Sequence, residues 1–334
     1  MKEAMFWEKL ENNKIECTLC PHRCTISQGK RGICGVRENQ KGTLNTLIYG
    51  LATSVTPDPI EKKPLFHFFP GSYVLSFGTV GCNFKCQHCQ NYGISQAKIE
   101  GTRFQRLKKE DVISIAKRYK CEGIAWTYNE PTIWFEFTYD ASVLAKKEGL
   151  YTCYVTNGFI EAEPLKKISP YLDAMNIDVK SFNNDFYKKV CKSKLQPVLD
   201  TCILAKKLDI LVELTYLIIP TKNDSEKEIR DYCRWVVDNL GENTPVHFSR
   251  FHPDYKMHDQ IATPMSTLNR AYEIAGEEGL RFIYLGNVPH GDYENTYCPE
   301  CGEMLIERIG FSTRSHYAKD AKCHKCGFII PLKR

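Results

Sequence analysis

From residue 73 onward, short apolar runs alternate with amphipathic stretches. The apolar runs are rich in β-branched and aromatic residues and predict strands at 73–78, 123–127, 151–156, 174–179, 211–218, 245–250 and 281–285. The amphipathic stretches predict helices at 109–120, 134–148, 197–208, 224–240 and 266–279. Strands that alternate with helices form right-handed βαβ units and a parallel sheet. We therefore expect an α/β fold, built as a partial (β/α)6-type barrel.

A doubly wound sheet is the alternative for this alternation. Its first strand is often followed by Gly-x-Gly-x-x-Gly, whereas the first strand here runs into Gly78-Thr79-Val80-Gly81-Cys82, which favours the barrel. The region before the barrel has little periodicity and much turn chemistry, with a strand or hairpin near 44–52. The predicted parts are a Cys-rich N-terminal segment (1–70), the barrel (71–292) and a zinc-ribbon-like module (293–334).

The cysteines say more about the class of protein than the overall composition does. The chain has 16 cysteines, and its first residues include acidic side chains and no apolar core of a signal peptide. We therefore expect a cytoplasmic protein whose thiols are reduced. We expect no membrane span, because no apolar run reaches the ~18–20 residues that one needs. Eleven of the sixteen cysteines fall into three clusters, as metal ligation requires. The others are predicted to be buried small hydrophobes: Cys121, Cys153, Cys191, Cys202 and Cys233.

The net charge of +5 comes from the two ends of the chain. Basic residues exceed acidic ones by two in residues 1–34 and by three in residues 298–334, while the charges between them cancel. Such a small excess favours a solvated surface over contact with nucleic acid, which stays open as the alternative.

The strongest chemical signal is the triplet Cys82-x3-Cys86-x2-Cys89, which directly follows the first barrel strand. Three closely spaced thiolates on a loop can bind three irons of a [4Fe–4S] cluster and leave the fourth iron open. Zinc is the competing ion. It would need a fourth ligand, and the one candidate next to these cysteines is His88. The loop lies at the carboxyl end of a strand, where active sites of such barrels sit.

This Cys-x3-Cys-x2-Cys loop resembles the hallmark of the radical S-adenosylmethionine (SAM) superfamily. The resemblance implies that SAM binds the open iron through its amino and carboxylate groups. It further implies that one electron from the cluster cleaves SAM to methionine and a 5′-deoxyadenosyl radical, which abstracts hydrogen from a substrate. It predicts no catalytic residue beyond the cluster ligands, and it places His88, at a position usually aromatic, near the adenine, with Gln90 beside it.

The resemblance extends to residues that follow later strands, which it predicts to bind SAM: Asn129, Glu130, Thr156, Asn157, Asp178, Lys180 and His252. Glu130 is the expected acceptor for the methionine amino group. The alternative for this turn is an ordinary helix N-terminus, with Asn129 as the cap and Pro131 in the first turn.

Two of these motifs are similar to those of glycyl-radical-enzyme activases. Thr156-Asn157-Gly158 matches a Thr-Asn-Gly that an Asp precedes in the activases, and Val155 stands here instead. A monovalent-cation site of the activase kind is therefore not expected. Asp178-Val179-Lys180 matches an Asp-x-Lys that lies at SAM, and a surface ion pair is its alternative.

The C-terminal cysteines form two knuckles, Cys298-x2-Cys301 and Cys323-x2-Cys326, each followed by glycine. Four thiolates at this spacing favour tetrahedral Zn²⁺, with a single iron as the runner-up, and a stabilising role.

The N-terminal group leaves two metals open, Zn²⁺ or an auxiliary iron–sulfur cluster: Cys17, Cys20, Cys24 and Cys34. This order of cysteines, with the triplet and the ribbon, resembles the radical SAM enzymes of the AmmeMemoRadiSam system. These are related to pyruvate formate-lyase activating enzymes, and the resemblance implies two partner protein families.

Three functions follow from these patterns. The favoured one is a radical SAM enzyme that acts on a protein, with an electron donor such as ferredoxin or flavodoxin. The second modifies RNA and uses the C-terminal ribbon to hold it. The third is a non-catalytic zinc scaffold, which needs neither an open metal site nor the SAM-type turns.

Overall fold

The computed structural model describes residues 2–289, 291–317 and 320–334. Its centre is an eight-stranded sheet. The strands up to the end of this sheet are β1 (Lys2–Glu3), β2 (Trp7–Lys9), β3 (Ile15–Cys17), β4 (Thr25–Ile26), β5 (Arg37–Gln40), β6 (Thr43–Thr46), β7 (Leu51–Ala52), β8 (Ser54–Pro59), β9 (Tyr73–Gly78), β10 (Gln105–Arg106), β11 (Gly123–Trp126), β12 (Tyr151–Thr156), β13 (Ala174–Asp178), β14 (Leu211–Ile218), β15 (Val246–Arg250) and β16 (Ile283–Gly286).

The central sheet has the order β16-β15-β14-β13-β12-β11-β9-β8. All neighbours from β9 to β16 are parallel, and β8 pairs antiparallel with β9. Within the described residues, β8 and β16 each have one neighbour in this sheet, so the barrel is open. This confirms the predicted α/β class and partial barrel. The sheet has seven parallel strands, one more than a (β/α)6 unit, and β8 lies inside the predicted N-terminal segment.

Helices connect the parallel strands. They are α1 (Tyr92–Ser95), α2 (Lys109–Arg118), α3 (Phe135–Lys147), α4 (Ala162–Ile168), α5 (Asn184–Phe186), α6 (Gln196–Lys207), α7 (Glu226–Leu240) and α8 (Met265–Glu277). A single π-type turn, Tyr187–Cys191, continues α5. None of the helices in the described residues combines the length and apolar composition needed to cross a bilayer.

The first 50 residues fold as two small three-stranded sheets, β1-β6-β5 and β2-β3-β4. The prediction of a strand or hairpin near 44–52 is only partly confirmed, because the hairpin β5–β6 ends at Thr46 and β7 pairs with β10 instead. These sheets pack on the carboxyl side of the barrel, where the Glu161 amide, in the loop after β12, donates to the Leu19 carbonyl (3.1 Å).

The C-terminal module is a three-stranded antiparallel sheet, β17 (Thr296–Tyr297), β18 (Met304–Ile309) and β19 (Ser312–Ser315). It lies at the opposite edge of the barrel. Lys333 Nζ donates to the backbone oxygens of Asp173 (3.4 Å), directly before β13, and Asp209 (3.3 Å), two residues before β14. The ribbon therefore covers the amino ends of the strands.

Candidate functional site: a three-cysteine loop at the carboxyl edge of the sheet

The Cys82–Cys89 loop begins four residues after β9 ends and needs glycine at its start. Gly81 has φ +92°, and a Cβ there would lie 2.7 Å from the Cys34 carbonyl oxygen and 2.8 Å from Val36 Cγ1. Glycine therefore permits both the left-handed backbone and the close approach of the N-terminal segment. The N-terminal cysteine loop and the triplet loop are in direct contact at this point.

Asn129 holds the same loop from the end of β11. Its side-chain oxygen accepts from the Thr79 amide (3.0 Å), and its Nδ2 donates to the Gly81 carbonyl (2.8 Å). Asn129 thus satisfies two backbone groups that β9 leaves unpaired as it turns into the loop. The helix-cap alternative is partly wrong, because the residue that caps Pro131–Trp134 is Glu130.

The Glu130 carboxylate is 1% exposed and joins the ends of two strands. It accepts from the Thr132 amide (2.9 Å), the Thr156 hydroxyl (2.7 Å) and the Asn157 amide (2.8 Å). Burial raises the pKa of Glu130 above its usual value, and these hydrogen bonds oppose the rise.

Asn157 connects this network to the triplet. Its Nδ2 lies 2.8 Å from Asn83 Oδ1 and 3.8 Å from Cys82 Sγ. Burial, followed by the Glu130 carboxylate, raises the pKa of the Cys82 thiol well above its usual value. The residues after β11 and β12 therefore come together around the first cysteine of the triplet.

Lys180 is the cation on the other side of the triplet. Its Nζ lies 2.8 Å from Asp178 Oδ2, and both side chains are largely buried. Burial lowers the pKa of Lys180, but the negative charges of Asp178 and then Cys86 raise it by more. The pKa of Lys180 is therefore above its usual value. The Cys86 thiol lies beside Cys191, and this neighbour together with burial raises the pKa of Cys86.

The His88 ring is buried, and its two nitrogens lack hydrogen-bond partners among the described residues. The ring centroid lies 5.9 Å from that of Phe186. Burial, and next Lys180, lower the pKa of His88 to about 3, so the ring is neutral. Buried polar atoms rarely stay unpaired, so a bound group beside His88 fits this site. Gln90 and His252 are exposed and meet at 3.0 Å between their nitrogens.

The sulfur positions separate two kinds of metal site. In the part of the chain that the structure describes, the four C-terminal cysteines are the one group of three or more candidate ligands whose donor atoms all lie within 4.8 Å of one another. Cys82, Cys86 and Cys89 do not meet this condition, with or without His88. Ligands of different irons in a cluster stand further apart than ligands of one ion, so the triplet fits a [4Fe–4S] cluster better than zinc.

The C-terminal quartet has the size of a single-ion site. Cys298 and Cys326 sulfurs are 3.4 Å apart, and those of Cys301 and Cys323 are 3.6 Å apart. Four sulfurs about 2.3 Å from one zinc would be separated by roughly 3.8 Å. The glycine after each knuckle has a positive φ, which the tight turn requires.

Comparison with known proteins identifies the class. Residues 77–233 match the radical SAM superfamily. Over 334 residues and 99% of both chains, the protein is 50% identical to the uncharacterized protein MJ0808 of Methanocaldococcus jannaschii. The chain belongs to the radical SAM superfamily. This membership implies a [4Fe–4S] cluster and SAM, and it confirms the class predicted from the cysteine loop.

Named relatives are more distant. The pyruvate formate-lyase-activating enzyme of Clostridium pasteurianum is 23% identical over 54% of this chain and 80% of its own. A radical SAM methyltransferase from Sphaerobacter thermophilus has a TM-score of 0.50 at 15% identity, over 71% of each chain. Streptococcus suis SuiB, solved bound to S-adenosylmethionine, has a TM-score of 0.51 at 12% identity, over 68% of this chain and 53% of its own. These structures show the fold alone.

Sequence reasoning missed two contributors to the site. Asn83 lies inside the triplet loop and bonds Asn157, but an Asn between cysteines carries no signal of such a bond. Cys191 is buried as predicted, yet it lies against Cys86 because the π-type turn brings it there. Neither contact is local in sequence, so spacing does not reveal it.

Proposed function

We propose that this protein cleaves SAM reductively at a cluster held by Cys82, Cys86 and Cys89, and acts on a protein substrate. When bound, the cluster supplies the electron that breaks a carbon–sulfur bond of SAM and leaves a 5′-deoxyadenosyl radical to abstract hydrogen. The observation that carries the proposal is the convergence of the three-thiol loop with Glu130, Asn157 and Lys180 at the carboxyl edge of the sheet.

The chain's own residues have distinct tasks in this proposal. Asn129 fixes the start of the cysteine loop, and Glu130 fixes the turn after β12 and supplies negative charge for the SAM ammonium. Lys180, held by Asp178, supplies positive charge beside the thiolates and the SAM carboxylate. Thr156 and His88 line the same region, and the Gln90–His252 pair lies at its exposed rim.

We expect Glu130→Gln and Lys180→Ala to weaken SAM binding roughly 10–150-fold. Each change removes a hydrogen bond to a charged group, worth ~1.5–3 kcal/mol. Iron content should be nearly unchanged, because neither residue ligates metal. The measurement is SAM titrated against the spectroscopic signal of the cluster. Lys189→Ala, which removes an exposed lysine, is the matched control.

Wild-type SAM affinity in both variants would contradict these roles. It would reduce Glu130 to the cap of the Pro131–Trp134 turn and Lys180 to an ion pair with Asp178. The predicted SAM site would then be reduced to the three cysteine ligands of the cluster.

A protein substrate is the inference that the relatives' names support. The Clostridium pasteurianum protein is named for activating pyruvate formate-lyase, a protein. We infer a cytoplasmic enzyme with a low-potential donor such as ferredoxin or flavodoxin. Comparing the proteomes of cells with and without this protein tests the inference, with a mass shift on specific proteins expected. Salt-dependent RNA binding, with modified RNA and an unchanged proteome, would favour the RNA alternative.

We also propose that the C-terminal quartet binds zinc and stabilises the fold. Cys301→Ser with Cys326→Ser should remove about one zinc per chain and lower the melting temperature, because four thiolates bind one tetrahedral Zn²⁺. SAM cleavage should persist, since the ribbon lies at the amino edge of the sheet, away from the triplet. Metal analysis of both proteins checks this. Full-length protein that contains iron at this site and no zinc would overturn the assignment.

A further inference from the structure

The N-terminal cysteines surround one cavity that the proposed reaction does not use. Its lining includes all four cysteines and several apolar side chains, together with Arg37, His22 and Asn83. Four thiols that face one small apolar cavity are a candidate metal centre.

The spacing of the sulfurs distinguishes the two metals left open by the sequence. No three of these cysteine sulfurs lie within 4.8 Å of one another in the described structure, whereas all four sulfurs of the C-terminal quartet do. The N-terminal sulfurs, like those of the triplet, are therefore not gathered as the ligands of one zinc ion would be. A single zinc gathers its ligands closely, whereas a cluster of four irons keeps them apart.

Arg37 supplies a further feature of a thiolate site. Its Nη1 lies 3.5 Å from Cys17 Sγ, and its guanidinium is buried at 1% exposure. Hydrogen bonds to ligand sulfurs are a normal part of iron–sulfur sites and tune their potential. A buried cation at this place stabilises negative charge on the thiolates.

The cavity lies directly behind the SAM-cluster loop. His22 Nε2 lies 2.8 Å from the carbonyl oxygen of Asn83, the residue after Cys82. The Cys34 carbonyl packs on Gly81, the residue before Cys82. Each loop of cysteines therefore supports the other.

We propose that Cys17, Cys20, Cys24 and Cys34 bind a second [4Fe–4S] cluster, packed against the loop of the SAM cluster. All four irons then have a protein thiolate, so this cluster does not bind SAM. The proposal concerns a separate set of ligands, and its failure leaves the assignment of the triplet intact.

The test is the iron, zinc and acid-labile sulfide content of anaerobically purified, reconstituted protein. We expect about eight irons and about one zinc per chain in the wild type. The Cys20→Ala/Cys34→Ala variant should lose about four irons and keep the zinc. The Cys82→Ala/Cys86→Ala/Cys89→Ala variant should also keep about four irons, which then belong to the N-terminal site.

Cys121→Ala is the matched control, since it removes a buried thiol outside all three clusters and should leave the metal content unchanged. About four irons and two zincs in the wild type would overturn the proposal. So would a Cys20→Ala/Cys34→Ala variant that keeps all its iron. If that variant fails to fold, the wild-type count and the triplet variant still decide between the two metals. A Cys82→Ala/Cys86→Ala/Cys89→Ala variant that keeps all its iron would contradict the proposed function instead, because the triplet would then hold no cluster.

Discussion

Replacement of Cys82, Cys86 and Cys89 by alanine is expected to abolish SAM cleavage and to remove about four irons per chain. The protein binds this cluster through three thiolates only, because the fourth iron has no protein ligand. Burial raises the pKa of the Cys89 thiol above its usual value. Iron analysis and the yield of 5′-deoxyadenosine from the reduced protein are the measurements.

The single replacements should give the same loss of activity, since each removes the ligand of one iron. Cys191→Ala is an instructive comparison because this thiol contacts Cys86 without belonging to the triplet. We expect that variant to keep its iron. A triple variant that still produces 5′-deoxyadenosine would contradict the assignment of the cluster.

Arg37→Met is expected to lower the free energy of unfolding by about 3–5 kcal/mol. Arg37 and Glu136 form an ion pair in which both side chains are 1% exposed. Removal of one partner leaves the other as an uncompensated buried charge, which is the costly case. Arg37 Nη2 also donates to the Met5 carbonyl (2.7 Å), so the N-terminal segment loses an internal hydrogen bond as well. Urea denaturation under anaerobic conditions measures the change.

The control for this prediction is Arg23→Met, which breaks an exposed pair with Glu16 and should cost about 1 kcal/mol or less. Adding Glu136→Gln to Arg37→Met should recover part of the loss, because no charge is then left buried. Equal stability of the Arg37 and Arg23 variants would show that the buried pair contributes no more than a surface pair.

The strands of the barrel were predictable because buried parallel strands are continuous apolar runs bounded by turns. The pattern places β12 and β14 at their observed bounds. It does not predict β8, whose segment includes Pro57, Asp58 and Pro59 and has the composition of a turn. The structure explains this exception, since β8 is an edge strand, where proline costs no hydrogen bond to a neighbour.

The site was predictable only as far as ligand spacing and strand ends define it. Spacing marks the triplet, and the rule that parallel strands share a carboxyl edge brings Glu130 and Lys180 to the same side. The three hydrogen bonds of Glu130 and the contact of Cys34 with Gly81 depend on how distant loops pack. A sequence pattern does not record such contacts, so the adjacency of the two cysteine loops emerges from the structure alone.

The most direct test of the central claim is whether the wild-type protein cleaves SAM. Anaerobically reconstituted protein is reduced with dithionite and incubated with SAM, and the products are separated and quantified. We predict 5′-deoxyadenosine and methionine in equal amounts, dependent on both iron and reductant, if the radical is formed at the cluster. Intact, reduced cluster with bound SAM and no 5′-deoxyadenosine would contradict the account.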